Sequence, residues 1–242
     1  MFMKDVPRAY LESLVNYAKN NSSDILVSAL ESDGRKYFNS VFSLGTSPIQ
    51  VYRKHHLVPF GEFVPYASVI RPMYEKLVHI DLVDTSAGPA TQPLINAAGQ
   101  HIAISICFEN EFGNEIAKTL SQATLLVSVS NGAWYGTTIA HEQDLQMSQM
   151  RAIESGHYLL RASDAGVTAI IDQYGKVLER APGFEMTRLD GMALGLSGST
   201  PYTQWGDWPV VLWCIMGLIA VANLDILKWL HNKGNSKQDI KS

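Results

Sequence analysis

Apolar positions along this chain recur every three to four residues in some stretches and run unbroken or alternate in others, and the switching between the two predicts a layered α/β structure. From Val6 to Lys19, the spacing of Tyr10, Leu11, Leu14, Val15 and Ala18 predicts an amphipathic helix, stopped by Asn20, Asn21 and Ser22. Ile25–Leu30 is a short apolar run and predicts a buried strand. Tyr37–Leu44, after the turn residues Ser32, Asp33 and Gly34, predicts its neighbour, and Gln50–Lys54 a third. The following HLVPFGEFVPY holds two prolines and a glycine among dense aromatics, which predicts an ordered, packed loop.

A helix is expected over Val69–Val78, and then the β-prone run Ile102–Ile106 predicts a buried strand that delivers Cys107 to a turn. A short helix over Asn114–Leu120, a buried strand over Leu125–Val129 and the turn SNGAWYG follow. Leu145, Met147, Met150, Ala152 and Ile153 predict a helix within His141–Ser155. Strands are expected over Tyr158–Ala162, Gly166–Ile171 and Val177–Glu179, with Thr187–Leu194 as the last. Trp208–Leu224 carries no formal charge and is followed by Asp225, Lys228, Lys233, Lys237 and Lys241. With Trp205, Trp208 and Trp229 as flanking anchors, it predicts a transmembrane helix over 205–230 and a basic cytoplasmic tail over 231–242; a buried core helix is the competing reading.

Composition changes this picture little. A chain of 242 residues, 46% hydrophobic, can bury one large core. A net charge of -4 with scattered Lys and Arg speaks against a nucleic-acid partner. Cys107 and Cys214 lie in such unlike surroundings that no disulfide is expected. No HExxH, GxxxxGK or GxGxxG occurs, so neither a metal nor a cofactor is expected.

Four places carry candidate chemistry. Cys107, at the end of a buried strand, is fixed yet reachable, which suits a nucleophile; a core-filling thiol is the alternative. Glu62 stands among Phe60, Phe63 and Val64, where an unpaired carboxylate would be costly. It therefore calls for a cationic partner, Lys54 being the nearest in sequence. Trp134 and Tyr135, between Gly132 and Gly136, suit a pocket wall.

Taken together, YRKHHLVPFGEFVPY, ICFENEFG, SNGAWYG and the terminal apolar run resemble the carboxy-terminal part of the apolipoprotein N-acyltransferases, a membrane-bound branch of the nitrilase or carbon-nitrogen hydrolase superfamily. The resemblance implies an α-β-β-α sandwich over 1–204, incomplete at its N-terminus, on the outer face of the bacterial inner membrane. It implies an acyl chain moved from a phospholipid, through a cysteine thioester, to the N-terminal diacylglyceryl-cysteine of an apolipoprotein. By motif, Cys107 corresponds to the nucleophile, Lys54 to the lysine of a Glu-Lys-Cys triad and Glu62 to a further glutamate of the active site. Phe108, Glu109 and Trp134 correspond to positions near substrate, Phe108 standing where the family often has tyrosine. The triad glutamate and seven membrane helices lie upstream of the first helix in that family. The chain is therefore expected to be a truncated form that makes no thioester by itself and is poorly soluble. An inactive remnant that retains lipid or protein binding, and a soluble nitrilase-type amidase, are the alternatives.

Overall fold

The computed structural model describes residues 3–67 and 84–235; the helix expected over Val69–Val78 lies outside them. The chain divides into two compact units, Met1–Thr203 and Gln204–Ser242.

In the first unit, helix α1 (Arg8–Asn20) precedes three antiparallel strands, β1 (Asp24–Ser32), β2 (Tyr37–Gly45) and β3 (Gln50–Arg53), paired in the order β1-β2-β3. A second sheet has six strands in sequence order: β4 (Ile95–Ala97), β5 (Gln100–Ile106), β6 (Leu125–Ser130), β7 (Leu159–Ser163), β8 (Ala169–Ile171) and β9 (Val177–Arg180). Its centre, β5-β6-β7, is parallel and its flanks are antiparallel. The crossovers between the parallel strands carry α2 (Gly113–Thr119) and α3 (Ala140–Ser155).

Alternation along the central strands decides the layering. Ile102, Ile104 and Ile106 of β5, with Leu125, Val127 and Val129 of β6, pack with Val41, Leu26 and Tyr52 of the first sheet. Ala103 and Leu126, one residue out of phase, pack with Ile116, Leu145 and Ala152 of the helices. Strands buried on both faces read as unbroken apolar runs, which is why β5 and β6 stand out in the sequence. With α1 against β1 and β2, the layers run α-β-β-α.

Three expectations need correction. β4 is an element that the sequence left as loop: its three residues pair with β5 through Ala98 and Gly99, both at positive φ (50° and 73°), a two-residue turn whose twist suits a hairpin. Thr187–Leu194 forms no strand. Arg188 bonds Asp190 two residues on, Gly191 has no side chain to bury, and Met192 and Leu194 are exposed. In the second unit the apolar run does become a helix, α5 (Trp208–Asn235), after the short α4 (Pro201–Trp205). Its side chains over 208–223 are exposed throughout, which removes the buried-core reading. The transmembrane helix expected over 205–230 is not borne out, because among the described residues no helix is long and apolar enough to cross a membrane.

Candidate active site

β5 ends at Ile106, and the backbone then turns abruptly. Cys107 adopts φ 52°, a left-handed conformation that costs a residue with a Cβ of the order of 1–2 kcal/mol, and opens a 3-10 turn, Cys107–Glu111. The strain is held in place by Glu109. Its Oε2 accepts the amide of Ile106 at 2.8 Å, while its Oε1 accepts the amides of His55 (2.6 Å) and His56 (3.2 Å) and the hydroxyl of Tyr52 (3.1 Å). One carboxylate thus ties the strand end beneath the thiol to the chain just after Lys54. Burial pushes the Glu109 carboxyl above its ordinary range, against the lowering pull of three backbone N–H groups. Burial first, and the Glu109 charge second, push the Tyr52 phenol far up, so it stays a donor. Glu109 is 5% exposed, with both oxygens engaged inside the protein.

Lys54 follows the last residue of β3 and is 1% exposed. Its backbone is pinned from both sides, its N–H donating to Asn39 O at 2.7 Å and its carbonyl accepting from Gly88 N at 2.8 Å. The second contact needs glycine: a Cβ at position 88 would stand 2.5 Å from the carbonyl oxygen of Arg53. The Lys54 Nζ lies 2.6 Å from Glu62 Oε2, the cationic partner expected for that glutamate. Glu62 also accepts from Val58 N (2.8 Å) and Asn39 Nδ2 (3.3 Å), so the proline-rich loop is ordered around its charge.

Lys54, Glu62, Cys107 and Trp134 share one cavity of about 670 Å³. Its floor is the carboxyl ends of the parallel strands, represented by Cys107, Ser130–Asn131 and Ser163–Asp164, where α/β sheets place their ligands. Part of its lining is apolar, with Leu26, Ala29 and Leu30 of β1 and Val58 of the loop, beside the polar Ser28 and Asn39. Trp134 is 78% exposed at the rim, on a turn fixed by Gly132 N donating to Asp164 Oδ1 (2.9 Å) and Ala133 N to Asn131 Oδ1 (3.0 Å). The large cavity does not reach Phe108. That ring packs edge-on against Phe112 and His56 and lines a second, smaller cavity that shares Cys107 and Tyr135 with the first.

Behind the smaller cavity lies a buried network that sequence reading missed. Arg161 of β7 pairs with Asp144 of α3 through both guanidinium nitrogens and donates to Ser148 Oγ (3.2 Å) and Val167 O (3.0 Å). Asn110, one turn after the thiol, joins it through Ser148 at 2.9 Å. Its members lie up to 51 residues apart on three elements, so no local motif announces them.

This geometry defines a class: an α-β-β-α sandwich with a strained cysteine at a strand end, facing a buried lysine–glutamate pair across one cavity. The comparisons with known proteins agree. The carbon-nitrogen hydrolase family model matches residues 3–202, and the chain belongs to that family. Apolipoprotein N-acyltransferase of Nitrosomonas europaea is 45% identical over 224 residues, 92% of this chain and 44% of the relative. That of Methylococcus capsulatus is 40% identical over 222 residues, 91% of this chain and 44% of the relative. The chain therefore spans less than half the length of these curated relatives. Among solved structures, a carbon-nitrogen hydrolase from Helicobacter pylori superimposes with a TM-score of 0.54, covering 72% of this chain and 62% of the other at 17% identity. An amidase from Nesterenkonia gives 0.55, covering 81% and 68%, also at 17% identity. These two speak to the fold alone.

Proposed function

We propose that this chain is the acyl-transferring part of an apolipoprotein N-acyltransferase of the bacterial inner membrane. The observation that carries the reading is the shared cavity: the Cys107 thiol, the Lys54–Glu62 pair and apolar side chains of β1 stand around one volume of about 670 Å³. Similarity to the acyltransferases over nine-tenths of the chain supports the choice of substrates.

In the first half-reaction the sulfur of Cys107 attacks the carbonyl carbon of a phospholipid ester. The C–S bond forms, the C–O bond breaks, and the lysophospholipid leaves as its alcohol after taking a proton. Lys54 Nζ has three protons, and Glu62 is its one hydrogen-bond partner among the described residues. The others can serve the negative oxygen of the tetrahedral intermediate. The acyl chain runs along Leu26, Ala29 and Leu30. In the second half-reaction the N-terminal amine of a diacylglyceryl-cysteine attacks the thioester, its nitrogen replaces sulfur on the acyl carbon, and the thiol is restored. Glu62 holds Lys54 in place, Glu109 positions Cys107, and Trp134 closes the rim over the donor. The exposed Trp, Val, Leu and Ile side chains of α5 keep this unit at a lipid surface.

The test is an exchange: residues 1–242 replace the matching segment of the Nitrosomonas europaea relative, and N-acylation of a diacylated lipoprotein is followed by mass spectrometry. Triacylated product, abolished by Cys107→Ala, is the expected result. An exchanged enzyme that accumulates normally yet leaves the lipoprotein diacylated overturns the reading, whether or not an amide substrate is hydrolysed.

A further inference from the structure

Two cavities meet at the thiol. Cys107 and Tyr135 line both. The larger has the partly apolar lining already described. The smaller, about 140 Å³, is walled by Glu111, Asp144, Gln143 and Tyr135 with Phe108 and Met147. Its two carboxylates are not equivalent. Asp144 is neutralised by Arg161, whereas Glu111 forms no ion pair among the described residues and only senses His56 at a distance. The small cavity therefore has one negative charge to spare, beside a phenol. Burial and the charge of Asp144 push the Glu111 carboxyl upward, as expected of an anion that lacks a counter-charge.

We propose that the small cavity is the acceptor subsite, in which Glu111 receives the primary ammonium group of the acyl acceptor while the acyl chain on Cys107 lies in the large cavity. This rests on the acyl-transfer reading above and adds the residue that recognises the acceptor. A volume of about 140 Å³ admits a small cationic head and not a second hydrocarbon chain. The nitrogen arrives as ammonium, gives one proton to Glu111 and, as it bonds the thioester carbon and the C–S bond breaks, its second to the departing sulfur. An acceptor held in a cavity separate from that of the donor can enter without displacing the acyl chain.

The charge at the thiol can be read without any acyl transfer. In the full chain carrying Cys214→Ser, Cys107 is modified by 2-aminoethyl methanethiosulfonate, whose head is a primary ammonium, and by the neutral methyl reagent. In each case sulfur bonds sulfur and methanesulfinate leaves. The ratio of the cationic to the neutral rate, relative to a free thiol peptide, should be raised about fivefold, as one unit charge within several ångströms allows. Glu111→Gln should abolish the gain in the ratio, from which any change in thiolate fraction common to both reagents cancels; Glu115→Gln, an equal change of charge outside the cavity, should not. A ratio in Glu111→Gln equal to that of the parent overturns the subsite. In the exchanged enzyme, Glu111→Gln should raise the acceptor KM about tenfold with donor-dependent thioester formation intact. Persistent cationic preference in an exchanged enzyme that transfers no acyl group would leave the cation site standing and sink the acyl-transfer reading instead.

Discussion

Lys54–Glu62 and Arg161–Asp144 each border a cavity that Cys107 lines, and the two pairs are alike in burial. In each, the cation's side chain is 1% exposed and the carboxylate's 17%, with hydrogen-bonding contact between them. They differ in what the cation has left to give. Arg161 spends its fork on Asp144, Ser148 and Val167, which clamps α3 to β7. Lys54 has one partner among the described residues, Glu62, and faces a cavity. Burial of a charge pair marks a position that is costly to alter, and only unspent donors distinguish a pair that can do chemistry from one that holds the fold.

The comparison is sharpest where both ends of it are cut. Cys107→Ala in the exchanged enzyme should abolish transfer, and Lys54→Met should lower it by about 10²–10³-fold, the range for losing an oxyanion donor. Arg161→Met should instead cost about 3–5 kcal/mol of stability, since it strands a half-buried Asp144, while turnover per folded molecule stays within about threefold. Denaturant midpoints and active-site titration separate the two. An Arg161 variant that folds normally but is inactive would break the distinction.

Glu109 gives a smaller effect with a definite sign. Its folded carboxyl titrates above the ordinary 4.5, so its share of stability is full below that value and is lost as pH climbs through the raised one. Between pH 4.5 and neutrality the parent should therefore lose stability that Glu109→Gln does not, read as converging or crossing denaturation midpoints. Trp134→Ala, at an exposed rim, should shift stability by less than about 0.5 kcal/mol and raise the donor KM a few-fold.

What could be read beforehand follows from how local each signal is. The strand run before Cys107 and the helix within Ala140–Ser155 are written in contiguous residues, and the pairing of Lys54 with Glu62 followed because eight residues separate them and an apolar loop made solitude costly. β4 escaped because three residues carry no period, and Thr187–Leu194 misled because propensity does not supply a partner strand. The bonds of Glu109 to Tyr52, His55 and His56 could not be read because they join residues more than fifty positions apart, and only its bond to Ile106 is local. The Asp144–Arg161 network left no trace, being polar residues that a helix and a strand bring together only on folding.

The positive φ of Cys107 bears on stability. Glycine would adopt that backbone freely, so Cys107→Gly should fold more stably than Cys107→Ala by about 1 kcal/mol. A thiol at this position is therefore carried at a backbone cost that glycine would not incur.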